Sequence, residues 1–223
     1  MTAPKRPRLV VLISGSGSNL QAFIDASQNG TLDADVVGVV SNKADVLGLD
    51  RAKKARIPCE ILDHRVFADR ESFDAELGER VSSYQPDLVI LAGFMRILTP
   101  EFVNRFAGHI MNIHPSLLPK YPGLNTHQRA IDAGDPAAGA TVHFVTSDLD
   151  GGPAIIQAEV PINSGDTADI LANRILVQEH QIYPLAAQWF CEGRLTLNNG
   201  APHLDGNALP DTGFPFSTAN TEQ

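Results

Sequence analysis

The chain has 223 residues, 43% hydrophobic and 19% charged, a composition that suits a globular protein with a sizeable core. Seventeen basic against twenty-six acidic residues give a net charge of −9. That balance argues against broad electrostatic binding of nucleic acid, though a local basic patch can still hold one phosphate. Cys59 and Cys191 make no disulfide framework and fit a reducing compartment. The apolar run 9–13, behind Lys5, Arg6 and Arg8, is too short to cross a membrane and lacks a small-residue cleavage site. A cytoplasmic protein with no membrane partner is expected.

Residues 9–14 are apolar, rich in β-branched side chains and ended by Gly15, the pattern of a buried strand. Gly15-Ser16-Gly17-Ser18-Asn19 follows, then Leu20, Phe23 and Ile24 at helical spacing, with Asn29-Gly30 as the stop. A second strand is expected over 35–41, a helix over 46–56 and a short strand over 57–62. Residues 70–84 set charges on one face and Phe73, Leu77 and Val81 on the other, an amphipathic helix that Pro86 ends. A fourth strand covers 87–92. A brief helix spans 99–106, with Thr99 as its cap and Pro100 in its first position. The fifth strand is 110–113.

After His114 the pattern changes. A short helix is expected over 126–133 and strands over 140–146 and 154–160, paired as a hairpin or a bent antiparallel extension. A long helix over 167–190, adjusted near Pro184, and short strand-like pieces at 195–197, 203–204 and 208–209 complete the series. Alternating strands and helices, with strands apolar on both faces, predict an α/β fold. We expect a single Rossmann-like domain over 1–209, with a mainly parallel twisted sheet, helices on both faces and an antiparallel C-terminal extension. Residues 210–223 lack apolar periodicity and read as a mobile tail.

The most informative stretch is Asn112-Ile113-His114-Pro115-Ser116. Asn112 and His114 lie two apart on a strand, so they face the same way, at the carboxyl end where open α/β sheets bind ligands. Histidine titrates near neutral pH, and an asparagine amide donates to a developing oxyanion without changing charge. The glycine loop presents free backbone N–H groups at a helix N-terminus, with Ser16, Ser18 and Asn19 as neutral donors. It lacks the third glycine of a dinucleotide fingerprint and the Gly-Lys-Ser/Thr of a Walker loop, and Ser41-Asn42-Lys43 offers no acid for a ribose. A monophosphate suits it best. Asp150, in Leu149-Asp150-Gly151-Gly152, has the ordinary chemistry of a turn; if its loop meets the end of the fifth strand, it pairs with the imidazole and favours the protonated form.

Other residues carry less. His127, His143 and His180 lack metal-ligand spacing and no cysteine pair exists, so no metal is expected. No Gly-x-Ser-x-Gly elbow is present. The segment Gly93-Phe94-Met95-Arg96-Ile97-Leu98 reads as core or as the wall of a flat aromatic ligand's pocket. Glu179-His180 reads as a solvated or packing face of the long helix.

Together these motifs resemble the glycinamide ribonucleotide formyltransferase family, the folate-dependent enzymes of purine biosynthesis. The resemblance covers about residues 9–209. It rests on 13–20, Ser41-Asn42-Lys43, 92–98, 112–123, and His143-Phe144-Val145-Thr146 leading to Leu149-Asp150-Gly151-Gly152. It implies that Asn112, His114 and Asp150 are catalytic, and that Gly17, Ser18, Asn19 and Glu179 bind the substrate phosphoribosylglycinamide. It further implies that Arg70, Met95, Arg96, Ile97, Leu98, Asn112, Thr146, Ser147, Asp148, Leu149 and Asp150 bind the co-substrate 10-formyltetrahydrofolate. Transfer in the family is direct, without a metal or covalent enzyme intermediate, and the chain is expected to be a monomer or homodimer. Ser16, Asn125 and Ser147 depart from the family's usual Asn, His and acidic residue. The rivals are a formyltetrahydrofolate hydrolase, which usually carries an extra N-terminal domain, and a non-catalytic phosphate- or nucleotide-binding module, which predicts a degraded trio. A methionyl-tRNA formyltransferase needs a further C-terminal domain and a basic surface.

Overall fold

A computed structural model of the chain describes residues 5–217. Its contacts gather into two compact units, Met1–Met111 and Asn112–Gln223, where the sequence leads us to expect one domain over 1–209. In the first unit β1 (Arg8–Ile13) leads through a glycine loop into α1 (Ser18–Asn29), followed by β2 (Asp35–Ser41), α2 (Leu47–Lys54) and β3 (Cys59–Ile61). Then come α3 (Arg70–Ser83), β4 (Leu88–Leu91) and α4 (Pro100–Arg105). Strand β1 pairs in parallel with β2 on one side and β4 on the other, and β2 pairs in parallel with β3. The whole of β4 and nearly all of β1 are buried, which is why those strands read as unbroken apolar runs. Helix α3 begins with a capping box between Asp69 and Ser72, and α4 with Thr99 accepting the Phe102 N–H ahead of Pro100.

Strand β5 (Ile110–His114) crosses the boundary between the units, and His114 is its last residue rather than the first of the loop. The second unit continues with α5 (Thr126–Asp132), β6 (Ala137–Phe144), β7 (Ala154–Pro161) and α6 (Ala168–Cys191). Strands β6 and β7 are antiparallel, with a register shift between Val142 and His143. β6 starts three residues earlier than expected because its opening, Ala137-Ala138-Gly139, has no β-branched side chain to mark it, yet pairs fully with the end of β7. Helix α6 runs through Pro184. Strands β8 (Leu195–Asn198), β9 (Ala201–Leu204) and β10 (Asn207–Ala208) form a small antiparallel sheet.

The sequence reads 210–223 as a mobile tail, but Phe214–Phe216 forms β11, paired in parallel with β7, and the Phe214 ring meets Trp189 edge-on at 5.4 Å. Burial against Trp189 and pairing with β7 supply the order that three residues around a proline do not advertise. The remainder of that segment, 218–223, lies outside the described residues.

Candidate active site

The candidate catalytic residues lie together in the second unit. His114 is buried, and its Nε2 lies 2.9 Å from the Tyr121 carbonyl. A carbonyl can only accept, so Nε2 carries a proton. The other nitrogen, Nδ1, lies 3.4 Å from Asp150 Oδ2. With a single proton on Nε2, the ring would turn a lone pair toward a carboxylate. A second proton on Nδ1 would make the contact attractive. Asp150 adopts a φ of +50°, a left-handed conformation that Asp tolerates better than most side chains, and its Oδ2 also accepts the Gly123 N–H at 2.9 Å. The segment Tyr121–Gly123 therefore holds the imidazole directly and Asp150 beside it.

That segment is braced from below. Thr141 Oγ1 donates to the Ser116 carbonyl at 2.7 Å and accepts the Leu118 N–H, while Gln157 Nε2 donates to the Leu118 carbonyl and to Thr141. Ser116 Oγ in turn donates to the Lys120 carbonyl at 2.6 Å. Buried hydroxyl and amide groups are thus paired with the loop backbone, where an unpaired partner would be costly.

His143 enters the site although its sequence context gives it no role. It is 2% exposed, and its Nδ1 lies 2.9 Å from the Phe144 carbonyl, so the ring proton sits on Nδ1. Nε2 is then a lone-pair acceptor, and it receives the Asn112 Nδ2–H at 3.2 Å. This fixes which end of the Asn112 amide is nitrogen and leaves its second N–H for an incoming acceptor. Burial holds the His143 pKa below the ordinary imidazole value, a pull that the Phe144 carbonyl and Asp150 only partly offset and the nearby His114 reinforces. Gly152 allows the arrangement: a Cβ there would sit 1.7 Å from the Phe144 oxygen. His127, also near His114, has its pKa lowered by burial and then by that neighbour.

In the first unit Gly17 caps α1 with a φ of +68°, and no side chain caps the helix. Any side chain at Gly17 would collide with Gly48, whose Cα would lie 2.6 Å from its Cβ. Arg51 of α2 donates to the Ser16 carbonyl and to the Gln21 side chain, tying the loop to the next helix; nothing in the local sequence marks it. Ser14 donates to Asn42 Oδ1 at 2.6 Å and accepts the Met95 N–H at 2.8 Å, linking the ends of β1 and β2 with the segment after β4.

In that segment Met95 and Ile97 are exposed, Leu98 is buried, and the Arg96 guanidinium lies over the Phe73 ring at 4.7 Å. Arg70 opens α3 and faces Glu71 at 3.7 Å. Arg70 and Arg96 both act on buried Asp74, whose pKa burial raises, and which accepts the Thr99 N–H. In the second unit Ser147, Asp148 and Leu149 are exposed, Thr146 is half-buried with its hydroxyl enclosed, and Gly151 closes a turn onto the Asp148 carbonyl. Glu179 is buried midway along α6, so the solvated alternative for that position is excluded. No group of three or more His, Cys, Asp or Glu residues suited to a metal ion occurs among the described residues.

The chain has known relatives. Residues 7–187 match the family model described as formyl transferase. The chain is 53% identical over 206 residues to the phosphoribosylglycinamide formyltransferase of Escherichia coli (strain K12), covering 92% of this chain and 97% of that one. A solved structure of phosphoribosylglycinamide formyltransferase from Coxiella burnetii, in complex with CHES, superposes with a TM-score of 0.92 at 47% identity, covering 96% of this chain and all of that one. A formyltetrahydrofolate deformylase from Pseudomonas putida is also similar, at 30% identity and a TM-score of 0.80, but this chain covers only 72% of it. The fold is therefore shared with a hydrolase, whereas the identity over full length lies with the transferases. The chain belongs to the formyl transferase family, among its phosphoribosylglycinamide formyltransferases.

Proposed function

We propose that the protein transfers the formyl group of 10-formyltetrahydrofolate to the amine of 5'-phosphoribosylglycinamide, giving N-formylglycinamide ribonucleotide and tetrahydrofolate. The observation that carries the chemistry is the paired placement of His114 between the Tyr121 carbonyl and the Asp150 carboxylate, with Asn112 against His143. The neutral amine attacks the formyl carbon, the carbonyl π bond opens, and a tetrahedral oxyanion develops. His114 Nδ1–H and the second Asn112 N–H are the donors for it, because the Nδ1 contact to Asp150 is longer than a hydrogen bond and that amide N–H is not taken by His143. The new carbon–nitrogen bond leaves a proton on the attacking nitrogen. A water carries it to the folate nitrogen, whose bond to carbon then breaks as the carbonyl re-forms.

Gly17, Ser18 and Asn19 anchor the ribonucleotide phosphate on the backbone of the α1 N-terminus, and Glu179 contacts the same substrate. Arg70, Met95, Arg96, Ile97 and Leu98, with Asn112 and Thr146-Ser147-Asp148-Leu149-Asp150, take the formyl-folate. Held in this way the two reactants gain the advantage of a positioned pair, worth up to about 7–11 kcal/mol in well-oriented systems. The deciding experiment follows consumption of 10-formyltetrahydrofolate with and without phosphoribosylglycinamide. Strict dependence on the amine is expected; equal rates in its absence would identify a hydrolase instead.

A further inference from the structure

Tyr121 is an unusual residue on which to hang a catalytic imidazole. Its φ is +55°, a left-handed conformation that bulky side chains avoid, and its carbonyl is the acceptor for His114 Nε2. Something outside the backbone has to hold it there. Its hydroxyl donates to Asp135 Oδ2 at 2.9 Å, and its neighbour Lys120 places Nζ 3.0 Å from both Asp135 oxygens. The Arg129 guanidinium lies 5.1 Å from the Tyr121 ring centroid and donates to the Pro122 carbonyl at 2.6 Å. Asp135 sits in the turn between α5 and β6. It is thus the point where two consecutive loop residues are tied to that turn.

We propose that Asp135, which touches no reacting atom, is a positioning residue for His114. By holding the Tyr121 hydroxyl and the Lys120 ammonium, it fixes the turn whose Tyr121 carbonyl receives the His114 Nε2 proton. Bonds from Lys120 and Tyr121 also keep the Asp135 carboxyl below its usual range, so the anchor stays ionised at neutral pH. The inference rests on the reading of His114 as the imidazolium that faces the oxyanion. Without the anchor the carbonyl swings away from Nε2, and the ring is free to rotate out of line with Asp150. A displacement of this kind, about 1 Å, is enough to lower a rate by roughly a hundredfold.

The test uses the full chain with Asp135→Ala, Asp135→Asn and Tyr121→Phe. Each is assayed for kcat and KM and examined by nitrogen–proton NMR of the His114 ring. In Asp135→Ala kcat is expected to fall about ten- to a hundredfold with KM for the ribonucleotide within about twofold, and the Nε2–H signal to shift and exchange faster. Asp135→Asn keeps an acceptor for the Tyr121 hydroxyl and is expected to recover most of the loss. Tyr121→Phe removes a single hydroxyl, so it serves as the probe if Asp135→Ala fails to fold; a smaller loss of kcat with the same change in the His114 signal is expected. Wild-type kcat in Asp135→Ala, or a loss of kcat with the His114 signal unmoved, overturns the proposal, as does Tyr121→Phe unchanged in both readouts. If the wild-type chain shows no formyl transfer, the reading of the reaction fails, and the NMR comparison still decides whether Asp135 positions His114.

Discussion

Replacing Asp150 with asparagine isolates charge from shape. Asparagine tolerates the φ of +50° at this position, and its oxygen can still accept the Gly123 N–H. What disappears is the negative charge 3.4 Å from His114 Nδ1. At that separation, with an effective dielectric near 20, two unit charges attract by ~5 kcal/mol. The amide dipole replaces part of this, and removing one partner of a buried pair typically costs ~3–5 kcal/mol. If the imidazolium is needed in the transition state, kcat for Asp150→Asn should fall by roughly 10² to 10³·⁵. Steady-state rates at saturating levels of both substrates measure it, with a thermal melt to show that the fold persists. KM for the ribonucleotide should change little, because its phosphate is assigned to Gly17, Ser18 and Asn19. A folded Asp150→Asn enzyme within about tenfold of wild type would refute the assignment of charge to this pair.

Two further outcomes follow from His143 and its neighbour. Because burial lowers the His143 pKa in the folded state, the unfolded chain binds the proton first as pH falls through the ordinary value near 6.5. Stability from this residue is therefore complete above that value and declines on acidification until the folded-state pKa is reached, at up to ~1.4 kcal/mol per pH unit. Urea melts between pH 5 and 7 should show wild type losing stability relative to His143→Gln as the pH drops, and a difference that does not vary with pH would count against a neutral, buried His143. Gly152→Ala places a Cβ against the Phe144 oxygen that His143 uses. Overpacking of this kind costs ~1–3 kcal/mol, so a lowered melting temperature is expected, and an unchanged one would mean that the turn yields freely.

How much of this was legible depended on whether the responsible interaction is local. The Thr99-Pro100 start of α4 and the stop of α1 at Gly30 are local, and both stand where the sequence puts them. Period-two spacing sets Asn112 and His114 on one face, and β5 extends one residue beyond the expected strand to include His114. Asp150 was readable as a turn residue, but its approach to His114 depends on how the turn after β6 folds back, which no spacing encodes. Nothing local marks His143, since its partner Asn112 lies 31 residues away on another strand. The Tyr121 and Phe144 carbonyls had no signature at all, because backbone acceptors belong to every residue and only the fold selects which ones matter.

Those two carbonyls orient the neighbouring histidines in opposite ways. In His114 the carbonyl meets Nε2, so Nδ1 is the nitrogen that faces Asp150. In His143 the carbonyl meets Nδ1, so Nε2 is left as an acceptor for Asn112. Protonating His143 would set two donors face to face at 3.2 Å and disturb the Asn112 amide, the proposed oxyanion donor. A second proton on His114 would face a carboxylate 3.4 Å away rather than another donor. Both rings are nearly excluded from water, at 2% and 6% exposure, so burial by itself does not distinguish them. The hydrogen-bond partners do, and a single carboxylate, Asp150, lying 3.4 Å from one ring and 3.9 Å from the other, can serve the first without ionising the second.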